Sequence, residues 1–473
     1  MMVQTKDSGK VVKSGLWYIF GTFIAKASVF MATPIFTRLM SKEDYGYFSN
    51  FATCLTLLTI CVTWNLYSSI NQAKFDFSEE FDKYISSILI FGTVLTGGFY
   101  IIFLLFQEEF VKIFTLDPIY LHMIFIYLLL EPALDIAMAK NRVFYKYKAV
   151  TLLVIMRAVG SMGCSVIFVI AVAENKMFYR AVGYLLPMFL IDGFLYFRLI
   201  CKGKTLSVNH INYALRISAP LTIHLLANNI LTSSDRIMIT NFCGREDTAL
   251  YSVAYSCASA VYLLNTAMNQ AWGPWLFDSL HNKEYSNIKK NAKIYVGIYV
   301  LGAIGIILLE PELLMIMGGK NYKSAVSVMP PVILSTIIQY IYTLYVNIEQ
   351  YEKKLKGVAI GTVVAACVNI ILNLLLLPRY GYIVAAYTTL ISYVILLVMH
   401  YMIVRKMGHS QVYSTGFNFG VIVGITILAI LITFLYPFTL IRYLILGVYV
   451  LLLLTIFYKR RTEIKKLLFS KGK

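Results

Sequence analysis

Fourteen apolar stretches of about 20–28 residues fill this chain of 473 residues, joined by short connections. A helix of about 20 apolar residues, rising about 1.5 Å per residue, crosses the hydrocarbon core of a bilayer. No connection is long enough to fold alone, so the chain is expected to act within or across a membrane. The stretches lie at 14–40, 45–71, 84–106, 119–139, 149–173, 177–197, 217–241, 248–277, 294–309, 326–348, 357–377, 381–404, 413–436 and 438–458. The last two are separated only by the turn at Pro437. Composition agrees: 14% of residues are charged and the mean hydropathy is +0.71, where a soluble chain carries about 25% charge. The start, MMVQTKDSGKVVK, is polar and basic, and the apolar stretch after it is too long for a cleaved signal peptide.

The net charge of +18 invites a nucleic-acid reading, but its distribution argues against it. Of the 42 Lys and Arg, 29 lie on the alternate loops that share a side with both termini, nine on the opposite side (Arg180 and Arg442 among them, near span ends), and the other four (Lys26, Arg38, Arg157 and Arg236) deeper within spans. This is the positive-inside bias. It predicts cytoplasmic termini and an even number of spans, and it reads as topology plus attraction to anionic membrane lipids. The seven cysteines form no C-x-x-C and the six histidines no pair at helical spacing, so no metal site is expected.

An internal repeat divides the fourteen. TPIFTRLMSKEDYGYFSNFATC (33–54) matches RIMITNFCGREDTALYSVAYSC (236–257) at a constant offset of 203 residues. Thr37 meets Thr240, Glu43-Asp44 meets Glu246-Asp247, Ser49 meets Ser252 and Cys54 meets Cys257; Lys42/Arg245 and Gly46/Ala249 are near matches. Val182-Gly183-Tyr184 falls opposite Ala385-Ala386-Tyr387 at the same offset. The expected fold is therefore all-α and polytopic, with about 14 transmembrane helices. Two six-helix bundles, 1–200 and 217–404, would be related by a pseudo-two-fold along the membrane normal. A basic linker at 201–216 would join them, and 405–473 would add a helical pair and a basic tail. Parallel repeats of this kind hold substrate between the bundles and rock one against the other.

Ionisable groups at membrane depth cost about 2.5–3.5 kcal/mol each on insertion scales, so each is a functional candidate. The cations are Lys26, Arg157 and Arg236. The carboxylates are Glu131 and Asp135, one helical turn apart, with Asp192 and Asp235. Static pairing of these charges within a bundle is one reading. The other has the cations line a water-filled cavity and hold an anionic group, for which the arginine fork suits phosphate, while a carboxylate carries H+ or Na+ as coupling ion. His224, Asn228, Asn229, Asn265, Asn269 and Gln270 add polar groups that either bond sugar hydroxyls or tie helices together. Arg38, near a span end, is expected to reach the interface. The 35 tyrosines include many at span ends, as an aromatic belt requires.

Gly318-Gly319-Lys320 lacks the earlier glycine and following hydroxyl of a phosphate-binding loop, and no G-x-S-x-G or H-E-x-x-H occurs. The loops on the less basic side are short, which disfavours a membrane glycosyltransferase or polymerase. No cofactor is expected.

Several fragments carry a family resemblance. GLWYIFGTFIAKASVFMATPIFTRLMSKEDYGYFSNFATCL resembles the first two spans of bacterial oligosaccharide flippases, the O-antigen and capsular polysaccharide exporters of the multidrug/oligosaccharidyl-lipid/polysaccharide superfamily, with Tyr45-Gly46-Tyr47-Phe48-Ser49 opening span 2. SSDRIMITNFCGREDTALYSVAYSCA resembles the second-half signature. MGGKNYKSA (317–325) and LPRYGYIVAAYTTLISY (377–393) are similar to later elements. The resemblance implies ion-coupled alternating access that moves an undecaprenyl-pyrophosphate-linked oligosaccharide across the bacterial cytoplasmic membrane. It also implies membrane lipids as partners, and a polysaccharide polymerase and glycosyltransferases of the same pathway. Family cavities are commonly cationic; Lys26, Arg157 and Arg236 fill that role here by membrane depth, and no motif match assigns it. The alternatives are a cation-coupled multidrug or small-molecule antiporter on the same fold, and a membrane glycosyltransferase or polymerase. The two spans beyond twelve favour the flippase.

Overall fold

The computed structural model describes residues 5–354 and 356–459, and the described residues are helical throughout, with short turns between. The basic C-terminal tail and the first residues of the N-terminus, on which part of the topology count rests, lie outside them. In chain order the helices are α1 (Thr5–Leu39), α2 (Lys42–Thr63), α3 (Ile70–Asp76), α4 (Phe81–Leu105), α5 (Gln107–Phe114), α6 (Pro118–Leu128), α7 (Pro132–Val143), α8 (Tyr147–Ala171) and α9 (Lys176–Gly203). Then come α10 (Val208–Ser233), α11 (Asp235–Phe242), α12 (Arg245–Ala258), α13 (Tyr262–His281), α14 (Tyr285–Gly318), α15 (Met329–Tyr351), α16 (Lys356–Tyr380), α17 (Val384–Lys406), α18 (Thr415–Phe434) and α19 (Thr439–Lys459).

Eleven helical segments among the described residues are long and apolar enough to cross a membrane, with Thr439–Thr455 a shorter apolar helix. The protein is a multi-pass membrane protein. Two of the fourteen expected spans, 217–241 and 248–277, are broken helices that fall short of that criterion. The expected short span 294–309 is corrected outright: α14 runs without a break through Glu310, Pro311 and Glu312 to Gly318. The carboxylates that read as a turn are bonded from elsewhere in the chain, Glu310 by the Tyr436 hydroxyl and Glu312 by Arg442.

Helix positions follow the repeat in its first part. α2 and α12 begin 203 residues apart, and α11 ends 203 residues after α1. Further on, α9 and α17 begin 208 apart. The extra length enters earlier, where Pro118–Val143 spans 26 residues and Lys320–Tyr351 spans 32. The second match is thereby corrected: Val182 is the seventh residue of α9 and Ala385 the second of α17, so they are not equivalent.

The described residues fall into two compact units. One lies within Met1–Val253, Ile316–Tyr322 and Val358–Ser392, the other within Ala254–Met315, Lys323–Gly357 and Tyr393–Lys473. In the first, Phe51, Cys54, Phe103, Leu121, Phe125 and Leu128 form an apolar core, which gives Cys54 a filling role. In the second, α15 is an interior helix: 83% of its apolar window is buried, against 17% for α8 of the first unit. The exposed apolar side chains of α8 and α19 are what helices facing lipid present.

Local chemistry sets the breaks. Ser41 caps α2, its hydroxyl accepting from the Asp44 amide at 3.0 Å, and Glu43 and Asp44 lie at the positive end of the helix dipole. Pro132 has no amide proton, so the apolar run 118–143 breaks into α6 and α7 with Glu131 at the junction. α11 opens at Asp235 after a similar break. Gly244, with φ +99°, makes the turn into α12.

Candidate functional site

Three arrangements of polar groups stand out in the first unit. The first joins the two copies of the repeat. Lys42 pairs with Glu246 at 3.2 Å, and Arg245 with Glu43 at 3.4 Å. Adding 203 to one partner of each pair, and subtracting it from the other, turns one contact into the other. Such reciprocity is the signature of an isologous, two-fold contact. Gly46 lies at its centre: a Cβ built there would stand 1.7 Å from the Arg245 carbonyl oxygen and 2.9 Å from the Ala249 amide nitrogen. The starts of α2 and α12 thus touch backbone to backbone, and the Arg245 guanidinium lies 3.6 Å over the Tyr47 ring. Burial and the adjacent Glu246 carboxylate raise Asp247 above its ordinary value, with Lys42 opposing them. The carboxylates are well exposed, 63% for Glu246 and 61% for Glu43. Exposed pairs are worth about 0.2–1 kcal/mol each, so this contact is breakable.

The second arrangement surrounds Arg157 of α8. Its guanidinium donates to the Tyr127 hydroxyl at 2.5 Å, and that hydroxyl donates to Asp192 at 3.0 Å. Glu131 and Asp135 act on Arg157 electrostatically. The structure therefore brings Arg157, Glu131, Asp135 and Asp192 together, with Tyr127 as the linking group. Glu131 and Asp192 are buried, and one carboxylate oxygen of each has no hydrogen-bond partner. Glu131 and Asp135 also line a crevice with Thr63, Tyr67 and Pro132.

The third centres on Asp235, 1% exposed at the start of α11. Tyr251 and Thr389 donate to one carboxylate oxygen at 2.6 and 2.8 Å, and Asn373 donates to the other at 2.8 Å. Asn369 donates to Thr389 at 3.2 Å, and Thr388 to Asn373 at 2.5 Å. The carboxylate is satisfied on both oxygens. Subtracting 203 from Asp235 and Tyr251 gives Ala32 and Phe48, so the first copy has no counterpart of this acid–tyrosine contact.

The remaining candidates are more dispersed. Lys26 is exposed along α1, and Arg236 and His224 are half-buried. Asn228 and Asn229 lie half-buried on α10, where their carbonyls accept from the Thr232 hydroxyl. In the second unit Asn265 is buried, Asn269 accepts from Asn347 at 2.8 Å, and Gln270 is exposed. Arg38 bonds the Pro34 and Ile316 carbonyls at 2.8 and 3.0 Å.

Sequence reasoning missed four features. Tyr127 lies within an apolar span and carries no charge to flag it. Asn369, Asn373 and Thr389 carry no charge to flag them. Arg180 counts with the charges of the less basic side, yet it is buried with its guanidinium 3.8 Å from both the Phe36 and Phe48 rings. Glu349 and His400 form a buried pair in the second unit; Glu349 sat at a span end and His400 far from it in sequence.

A family described as "Polysaccharide biosynthesis protein" matches residues 11–280, more than half of the chain. The chain belongs to that family. This polysaccharide biosynthesis protein is 21% identical over 379 residues to protein 1 of the Lsg locus of Haemophilus influenzae, covering 76% of this chain and 90% of that one. Its fold is similar to that of the lipid II flippase MurJ in an inward closed conformation, with a TM-score of 0.70 at 16% identity over 94% of this chain and 99% of that one. It is also similar to an outward-facing multidrug-resistance MATE transporter of the MOP superfamily, with a TM-score of 0.55 at 13% identity over 85% of this chain and 96% of that one. The resemblance read from the sequence, to polysaccharide exporters of that superfamily, is borne out.

Proposed function

We propose that this protein flips an undecaprenyl-pyrophosphate-linked oligosaccharide from the inner to the outer leaflet of a bacterial cytoplasmic membrane, by ion-coupled alternating access, for O-antigen, capsule or exopolysaccharide synthesis. The observation that carries the transport reading is the reciprocal contact of α2 with α12. A two-fold contact built from exposed, individually weak ion pairs suits a closure that forms and breaks in each cycle. It also supports two repeated bundles with a pseudo-two-fold along the membrane normal and an added helical pair. The family and the likeness to a lipid II flippase support a lipid-linked substrate. That likeness covers 94% of the chain, against 85% for the outward-facing MATE transporter, and this favours the flippase over the drug antiporter.

In this reading Lys26, Arg157 and Arg236 meet the pyrophosphate. Glu131, Asp135, Asp192 and Asp235 balance charge or take the coupling ion. The 14 spans and cytoplasmic termini belong to the same proposal. The test is deletion of the gene with identification of the lipid-linked saccharides that build up. The flippase reading expects a completed, lipid-linked repeat unit to accumulate. An unextended or absent repeat unit points instead to a glycosyltransferase, and no accumulation to an antiporter of other substrates.

A further inference from the structure

The second unit holds a pair of titratable groups outside the machinery described so far. Glu349, near the end of α15, and His400, in α17, are 0% and 1% exposed. The imidazole Nδ1 lies 2.6 Å from Glu349 Oε1. The other carboxylate oxygen, Oε2, is buried and has no hydrogen-bond partner. A buried polar atom left without a partner is costly, the more so when charged. A helix tie alone does not require it.

The surroundings show why that oxygen is left bare. A Cβ on Gly357, in the first turn of α16, would stand 2.9 Å from Oε2. The carboxylate thus looks at a glycine at the very start of a helix, where the chain has just turned back from α15. The Tyr342 ring stacks on the His400 ring, centroids 5.5 Å apart and planes 15° apart, which fixes the imidazole. The charged groups on the elements packed here are Glu352, Lys353 and Lys354 at the end of α15, Lys356 at the start of α16, and Arg405 and Lys406 at the end of α17.

A second pair of the same chemistry lies one helical turn nearer the loop. Glu352 Oε1 and His409 Nε2 are 2.8 Å apart, with side chains 30% and 17% exposed. Gly408, at φ +84°, turns the chain after α17 so that His409 returns to α15. A half-buried pair therefore precedes a fully buried one at the end of α15 that carries the basic loops.

We propose that Glu349 and His400 are a proton-binding site that couples transport, loaded from the basic-loop end by way of Glu352 and His409. The buried pair holds one proton between imidazole and carboxylate, which keeps it neutral. It takes a second proton from water onto Glu349, leaving the imidazolium beside a neutral acid. Release returns that proton to water, and no other bond changes. The coupling rests on the transport reading; the proton site itself does not.

The test uses full-length protein in detergent and in cells. Infrared difference spectra between acid and alkaline buffer are expected to show a protonated-carboxyl band that Glu349→Gln abolishes and His400→Gln shifts. In cells, each variant is expected to lower polysaccharide export at least tenfold at wild-type membrane levels and to flatten its dependence on cytoplasmic pH, the pH at the basic-loop end in this reading. Glu352→Gln, outside the buried pair, is expected to slow export while keeping the pH dependence. A band that survives Glu349→Gln, or an unchanged pH profile in both variants of the pair, overturns the proposal. If Glu349→Gln fails to insert, His400→Gln decides by its pH profile. If the band behaves as expected but the gene deletion accumulates no lipid-linked repeat unit, the proton site stands and the substrate reading falls.

Discussion

Gly46→Ala is the smallest change that tests the closure between α2 and α12. The added Cβ would stand 1.7 Å from the Arg245 carbonyl oxygen and 2.9 Å from the Ala249 nitrogen, both backbone atoms. Neither can rotate away, so the two helix starts must separate by more than an ångström. Overpacking costs about 1–3 kcal/mol, and rigid backbone on both sides places this site at the upper end. The Lys42–Glu246 and Arg245–Glu43 pairs, at 3.2 and 3.4 Å, lengthen with the separation. They add about 0.2–1 kcal/mol each in the same direction. At about 1.4 kcal/mol per factor of ten, a cost near 3 kcal/mol lowers the population of the closed state about 100-fold. The assay is cross-linking of Lys42→Cys with Glu246→Cys, in a background without the seven native cysteines. Gly46→Ala is expected to cut the cross-link at least tenfold and export with it. Gly97→Ala, whose Cβ meets nothing within 4 Å, is the control and is expected to change neither. Equal cross-linking in Gly46→Ala and wild type would refute the reasoning.

Lys42→Glu alone is expected to lower export modestly, since the pair it breaks is exposed, and Glu246→Lys is expected to restore it; a double variant worse than either single one contradicts the pairing. Lys26→Ala or Arg157→Ala is expected to abolish repeat-unit flipping in protein that still inserts, and full activity in both removes them from the cavity. Asp235→Ala leaves Tyr251, Asn373 and Thr389 without their acceptor. At about 1–3 kcal/mol for each orphaned buried group, it is expected to lower the melting temperature of the purified protein clearly more than Asp235→Asn, and equal melting contradicts the network.

The helices were legible because a membrane span must be a continuous apolar run, which a sequence displays directly. The repeat was legible at 33–54 and 236–257 because a contact surface near-identical in both copies keeps its residues in register. It blurred later, where span lengths differ by six residues between Pro118–Val143 and Lys320–Tyr351. Misread positions share one cause: a polar residue's partner lies far along the chain. Glu310 and Glu312 looked like a loop because Tyr436 and Arg442, more than 120 residues on, cover them. Asp235 stood out by its charge, but its donors Asn373 and Thr389 lie 138 and 154 residues away. Glu349 falls just past the expected span 326–348, and His400, which bonds one of its oxygens, lies 51 residues on. Arg180 looked solvated because nothing in its neighbourhood of sequence announces the Phe36 and Phe48 rings that enclose it.

The central claim is movement of a lipid-linked oligosaccharide between leaflets, and reconstituted flipping measures it directly. Purified full-length protein is placed in vesicles carrying a fluorescent undecaprenyl-pyrophosphate-linked oligosaccharide, and a membrane-impermeant quencher reports which leaflet holds the label. With an imposed ion gradient, the protein is expected to change the quenchable fraction at a rate at least tenfold above that of empty vesicles, and Arg157→Ala to remove the difference. A wild-type rate equal to that of empty vesicles, from protein shown to be folded and inserted, would contradict the account.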